Sequence, residues 1–177
     1  MKQFAAKLFA RYIVNKNKRW KENPIVAQKQ TFKHIVEKAQ NTRFGQDHGF
    51  EQIIDYETFK TKVPVRDYEG HRPYIDRIIA GEKDVLWPGV PLYLSKTSGT
   101  TSGAKYIPIS KESMPTHINA ARDALLTYID QTGKTDFLSG KQIFLQGNPT
   151  LEKKRRHCFG AIIWDCRTLC AILFTSK

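Results

Sequence analysis

The chain has 177 residues, of which 40% are hydrophobic, 26% charged and 11% aromatic. That is apolar material for a packed domain and excludes a disordered or fibrous chain. The formal net charge of +12 draws phosphorylated ligands, anionic membrane or nucleic acid, with a solvated basic face as the plainest explanation. No run of about 18 apolar residues occurs, so no membrane span is expected.

The first segment, MKQFAAKLFARYIVNKNKRW, is basic and amphipathic, and residues 1–21 hold seven Lys or Arg and no acid. Transit peptides and membrane-surface helices share that pattern. It lacks serine, no cleavage-like sequence follows, and Lys7 and Arg11 break its apolar stretch. A folded N-terminal helix is therefore expected. Pro24 then opens a second helix, with Ile25, Gln28, Phe32, Ile35, Val36 and Ala39 spaced for one face. Residues 41–49 read as a turn punctuated by Gly45 and Gly49. Asp55 caps a short helix to Lys62, and Val63 before Pro64 is extended. Residues 67–80 read as a helix that ends at Gly81.

Trp87-Pro88-Gly89-Val90-Pro91 is a rigid turn that delivers the chain into a short strand at residues 92–94. A second strand covers 106–109, where Pro108 marks an edge or a strand end. From Ser110 a long helix runs to about Thr132, with Ala121, Leu125, Tyr128 and Ile129 as its buried stripe. Residues 141–145 read as a further strand. This succession implies an α/β core preceded by helices.

Between the two strands lies an unbroken run of hydroxyl and glycine residues: Thr97, Ser98, Gly99, Thr100, Thr101, Ser102 and Gly103, with Lys105 close behind. Such a run buries little, but it offers successive backbone N–H groups and five side-chain hydroxyls to an anion. Gly99 and Gly103 permit close approach, and Lys105 adds a point charge that can follow a moving phosphate. The arrangement is neither a P-loop nor a dinucleotide fingerprint, because the glycine spacing is wrong for both. The bland alternative is a flexible hairpin loop, although such loops are usually two to five residues long.

The remaining candidates are weaker. His34 is expected to be partly exposed, His48 a cap, and His71 and His117 lack a nucleophile at a recognisable spacing. Asp67, Glu69 and Asp76 with Arg66, Arg72 and Arg77 read as a solvated helix face. Trp20 and Trp87 read as packing residues. Three cysteines, Cys158, Cys166 and Cys170, all lie in the last 20 residues. An odd count argues against a disulfide framework and fits a reducing cytoplasm, and their spacing with His157 matches no zinc ribbon. No catalytic and no metal-binding residue is assigned.

TSGTTSGAK resembles the phosphate loop of the adenylate-forming enzymes, the superfamily of acyl-CoA synthetases and luciferase. The longer LYLSKTSGTTSGAKYIPIS, with TRFGQDHGF, FKTKVPVRDYEGHRPYIDRIIAGE and LWPGVPLYLSKTSGTTSG in the same order, resembles the auxin-responsive promoter (Gretchen-Hagen-three) family of acyl-acid amido synthetases in its bacterial form. The resemblance covers about residues 24–152. It implies N-terminal helices on the beginning of an incomplete, luciferase-like adenylate-forming domain. It also implies an ATP-dependent ligase, with magnesium, that joins a carboxylic acid to an amine or amino acid through an acyl-AMP. Thr97 to Gly103, and Lys105, are then the phosphate contacts. A fragment of this length lacks most of such an active site and is expected to be inactive alone. The alternatives are a small basic module for phosphate or nucleic acid, although no RNA-binding signature occurs, and a structural piece that associates with a separate C-terminal half. A core cut short also predicts an open strand edge and aggregation.

After residue 154 the resemblance stops and the cysteines begin. A neighbouring reading frame of the codons from Lys154 onward can encode the glycine-rich segment that the family resemblance leads one to expect. Three positions are constrained by the code. Trp164 followed by Asp165 must give Gly, Asp165 followed by Cys166 gives Ile or Thr, and Cys166 followed by Arg167 gives mainly Val or Ala. Residues 1–154 are thus expected to be the start of an adenylate-forming domain and residues 155–177 an out-of-frame tail. The other possibility is a genuine tail with one apolar strand or helix over 161–174.

Overall fold

A computed structural model describes residues 2–97, 105–139, 152–154 and 157–160, the last two stretches as backbone. In chain order the elements are α1 (Lys2–Glu22), α2 (Pro24–Ala39), α3 (Arg43–Asp47), α4 (Tyr56–Lys62), α5 (Tyr68–Ile79), β1 (Tyr93–Thr97), β2 (Lys105–Ile109), α6 (Ser113–Thr132), β3 (Glu152–Lys154) and β4 (His157–Gly160), with 3-10 turns at Phe50–Gln52 and Asp136–Leu138. They fall into two compact units, one built on α1 and α6 and the other on residues 25–111 with β3 and β4.

In the first unit, Ala10 and Ile13 of α1 pack against Leu126 and Ile129 of α6, flanked by Phe9, Phe137 and Leu138. The small Ala6 and Ala10, both buried, let the two helices approach closely. Asn17 donates to Asp123 across the pair at 2.8 Å. Gly133 ends α6 with φ of 67°, a left-handed cap that glycine adopts freely. The buried stripe differs from the expected one. Leu126 and Ile129 are fully buried, Leu125 is half-buried, and Ala121 and Tyr128 are exposed. Several apolar residues on neighbouring turns define more than one possible stripe, and the contact with α1 selects one ridge. Trp20, expected to pack, is also exposed.

The second unit holds two clusters. Val36, Ala39, Phe50 and Ile53 form the first with Phe32, Phe44, Phe59, Val63 and Trp87. Ile25 and Ile35 of the predicted α2 face stay exposed, and of that face only Phe32, Val36 and Ala39 meet this cluster. The expected turn at 41–49 contains α3. Thr42 caps that helix: its hydroxyl accepts from the Gly45 N–H at 3.0 Å and donates to the Ala39 carbonyl at 2.7 Å. Gly45 is needed for a close approach, since a Cβ there would lie 2.1 Å from the Ala39 carbonyl oxygen. The Arg43 and Phe44 N–H groups donate to the carbonyls of Asp84 and Val85, partners that lie far along the chain. Asp55 caps α4 as expected, accepting from Thr58 N–H at 2.8 Å, and Asp67, expected as the first residue of its helix, instead caps α5, accepting from Gly70 N–H at 2.9 Å.

Ile78, Val85 and Leu94 form the other cluster, with Tyr74, Ile79, Leu86 and Tyr106 around them. The four-stranded sheet runs in the order β2-β1-β4-β3. β1 pairs antiparallel with β2 and parallel with β4, and β3 pairs antiparallel with β4. Helices with a mixed sheet give the expected α/β class. β1 extends three residues past the expected strand, to Thr97. Pro108 sits in β2, the edge strand, as its missing N–H demands. β4 falls within the stretch expected to be out of frame, and its pairing is by backbone, which side-chain identity does not dictate. The expected strand at 141–145 and residues 161–174 lie outside the described residues.

Candidate functional site

Why the hydroxyl-rich run sits where it does follows from the β1–β2 pair. The register sets Tyr93 opposite Ile109, Ser95 opposite Ile107 and Thr97 opposite Lys105. Leu94 and Ile109 are buried and fix both strands to the core, while Thr97 is exposed and Lys105 half-buried at the far end. The chain that leaves the sheet at Thr97 thus re-enters it directly across, at Lys105. Of the residues expected to bind phosphate, Thr97 and Lys105 are brought face to face. Ser98, Gly99, Thr100, Thr101, Ser102 and Gly103 lie outside the described residues.

A side chain that sequence reasoning passed over organises this end of the pair. Tyr68 is the first residue of α5, set there by the Asp67 cap. Its hydroxyl accepts a hydrogen bond from the Tyr106 backbone N–H at 2.8 Å. The Lys105 ammonium lies 5.6 Å from the centroid of the same ring, within cation–π range. The Tyr106 N–H is spent on Tyr68 and not on β1, so it points off the sheet edge. Two residues on, the same side of β2 carries Pro108, which has no N–H. The outer side of β2 therefore offers a neighbouring chain neither the Tyr106 N–H nor one at residue 108. The only signal for Tyr68 in the sequence was its place inside the string VPVRDYEGH.

The charge here is positive. Residues 92–110 contain Lys96 and Lys105 and no Asp or Glu. Burial raises the Tyr93 hydroxyl above its ordinary pKa, so it stays protonated and adds no negative charge.

The other candidates form structural contacts. His48 is buried, closes α3, and its Nδ1 lies 2.8 Å from the Phe44 carbonyl. His71 lies beside Phe44, with ring centroids 6.0 Å apart. His34 is exposed. Glu69 pairs with Arg72 at 3.1 Å on the surface of α5, while Arg77 turns to Glu82 through two hydrogen bonds of 2.7 Å. Among the described residues no three His, Cys, Asp or Glu side chains gather as a metal site. Cys166 and Cys170 lie outside them.

The sequence profile of the GH3 family N-terminal domain matches residues 14–152. Jasmonoyl--L-amino acid synthetase JAR6 of Nicotiana attenuata is 36% identical over 89 residues, 49% of this chain and 15% of its own length. Jasmonoyl--L-amino acid synthetase GH3.5 of Oryza sativa subsp. japonica is 34% identical over 97 residues, 54% of this chain and 17% of its own. Indole-3-acetic acid-amido synthetase GH3.3 of Arabidopsis thaliana is 34% identical over 89 residues, 49% of this chain and 15% of its own. Among solved structures, AtGH3.15 acyl acid amido synthetase in complex with 2,4-DB shares the fold, with a TM-score of 0.72 at 24% identity, over 85% of this chain and 26% of that one. The matched part of the chain thus spans 15 to 17% of the length of these curated relatives.

Proposed function

The chain belongs to the GH3 family, and on that premise we propose that it is the phosphate-binding beginning of an ATP-dependent acyl-adenylating ligase. The observation that carries this is the hairpin foot. Thr97 and Lys105 stand opposite one another, with the hydroxyl- and glycine-rich run between them in sequence and Tyr68 beneath Lys105. Successive N–H groups and hydroxyls suit the oxygens of a triphosphate, and Lys105 offsets charge as it builds on departing pyrophosphate.

In the parent reaction a carboxylate oxygen bonds to the α-phosphorus of ATP. The bond from that phosphorus to the β-phosphate's bridging oxygen breaks, and pyrophosphate leaves. An amine then bonds to the acyl carbon, the acyl–oxygen bond breaks, AMP leaves and the nitrogen sheds a proton. The relatives named as jasmonoyl- and indole-3-acetic acid-amido synthetases support an amide product. Magnesium would accompany the nucleotide, but residues 92–110 offer it no carboxylate. The positive charge of this hairpin is that of its lysines.

On this reading the hairpin holds the nucleotide's phosphates weakly. Residues 155–177 belong to a shifted reading frame, a proposal supported by the family match ending at residue 152. Binding of ATP and AMP to the full chain, measured by calorimetry, tests the site. Lys105→Ala should weaken ATP about tenfold, the worth of roughly one charged hydrogen bond, and leave AMP nearly unchanged. Unchanged ATP affinity in folded Lys105→Ala protein would sink the assignment. So would salt-sensitive binding of nucleic acid with no binding of ATP.

A further inference from the structure

α1 has two apolar faces, and α6 uses one of them. Ala6, Ala10 and Ile13 are buried. On the opposite side Phe4, Leu8 and Tyr12, each four residues from the next, are 68%, 56% and 61% exposed. Lys7 and Arg11 flank this stripe along one side, and Lys16 and Lys2 along the other. All four are exposed. The first acid is Glu22, and Lys18 pairs with it at 3.6 Å.

We propose that this outward face of α1 binds the surface of an anionic lipid bilayer, with the helix axis lying in the interface plane. An apolar stripe between two basic margins matches a hydrocarbon layer beneath anionic headgroups. Phe4, Leu8 and Tyr12 enter the acyl boundary while the lysine and arginine stems lie along the surface and keep their charges among the headgroups. Other occupants fit less well. Bare nucleic acid would satisfy the cations but leave the apolar centre in water. A protein groove would have to match an apolar floor with acidic walls along both basic margins, whereas an anionic bilayer offers both everywhere on its surface. A second copy would oppose two faces of the same positive charge. Among the described residues no helix is long and apolar enough to cross a membrane, and α1 would lie on its surface.

The test is flotation of the full chain with phosphatidylcholine vesicles containing about one third phosphatidylglycerol, an arrangement in which protein aggregates stay at the bottom. The wild type should float with these vesicles and not with pure phosphatidylcholine, and binding should drop steeply with salt. Phe4→Ser with Leu8→Ser should cut the bound fraction at least tenfold while the circular dichroism stays helical. Lys7→Gln with Arg11→Gln should weaken it several-fold. Failure of the wild type to float on anionic vesicles overturns the proposal. So does equal flotation of the Phe4→Ser/Leu8→Ser protein, which would mean adhesion by net charge alone. Self-association removed by those same serines, without flotation, would assign the stripe to a second copy instead.

Discussion

Tyr68 shows how much of a site one aromatic side chain can set. Its hydroxyl holds the Tyr106 N–H, and its face receives the Lys105 ammonium. Tyr68→Phe keeps the ring and removes the acceptor, leaving a half-buried N–H short of a partner, at a cost of about 1 kcal/mol. The expected result is a lower melting temperature and ATP binding weakened several-fold, with the Lys105→Ala effect retained. Tyr68→Leu removes the ring as well, so Lys105→Ala should cost less in that background than in the wild type. Equal Lys105→Ala effects with and without the Tyr68→Leu change, read by calorimetry, would show that the ring does not orient the ammonium. The hydroxyl- and glycine-rich run was legible as a composition, longer than an ordinary hairpin loop. Tyr68 was not, because nothing local in VPVRDYEGH says which strand lies above it.

At the scale of elements, caps decide where the short helices begin. Asp55 announced α4, since a carboxylate followed three residues on by a backbone N–H is a local arrangement, and the same arrangement at Asp67 starts α5 one residue later than the sequence suggested. α3 escaped notice because its first N–H groups are satisfied by Asp84 and Val85. Thr42→Val deprives both the Gly45 N–H and the Ala39 carbonyl of a buried partner. The loss should be about 2 kcal/mol, or about 5 °C in melting temperature by circular dichroism. Thr42→Ser should restore most of it, and a serine variant as unstable as the valine one would show that the hydroxyl alone does not hold the cap. Two carboxylates also link these elements to pH. Hydrogen bonding from the Thr58 side chain and N–H holds Asp55 below its ordinary pKa, and Arg77 does the same for Glu82. A depressed folded pKa contributes stability that is fully present above the unfolded carboxylate range and is lost as pH falls through the folded values. The melting temperature should therefore hold near neutrality and fall below about pH 4. Asp55→Asn with Glu82→Gln should flatten that fall, and an unchanged acid limb would remove these groups as its cause.

For the whole molecule, the decisive observation lies in the gene. Sequencing codons 145–177 and several hundred bases beyond tests whether a second frame continues into an adenylate-forming enzyme. If it does, residues 155–177 carry no function, and an in-frame repair should yield a longer protein that exchanges pyrophosphate into ATP in the presence of a carboxylic acid. If no such frame exists, the tail is genuine, and β4 becomes a native strand of the sheet.

The family, the α/β class and the hydroxyl- and glycine-rich run were all determined by the sequence, because ordered motifs and local chemistry need no knowledge of what lies across the fold. The helix stripes were determined only to within a turn. α6 offers Leu125, Leu126, Tyr128 and Ile129, and tertiary contact with α1 decided that Leu126 and Ile129 are the ones buried. Tertiary structure alone also placed Thr97 against Lys105, brought Tyr68 beneath them, and left Phe4, Leu8 and Tyr12 facing outward. The reason is the same in each case. Hydrogen bonds and apolar contacts between distant segments depend on which surfaces meet, and sequence periodicity marks an apolar face without naming its partner.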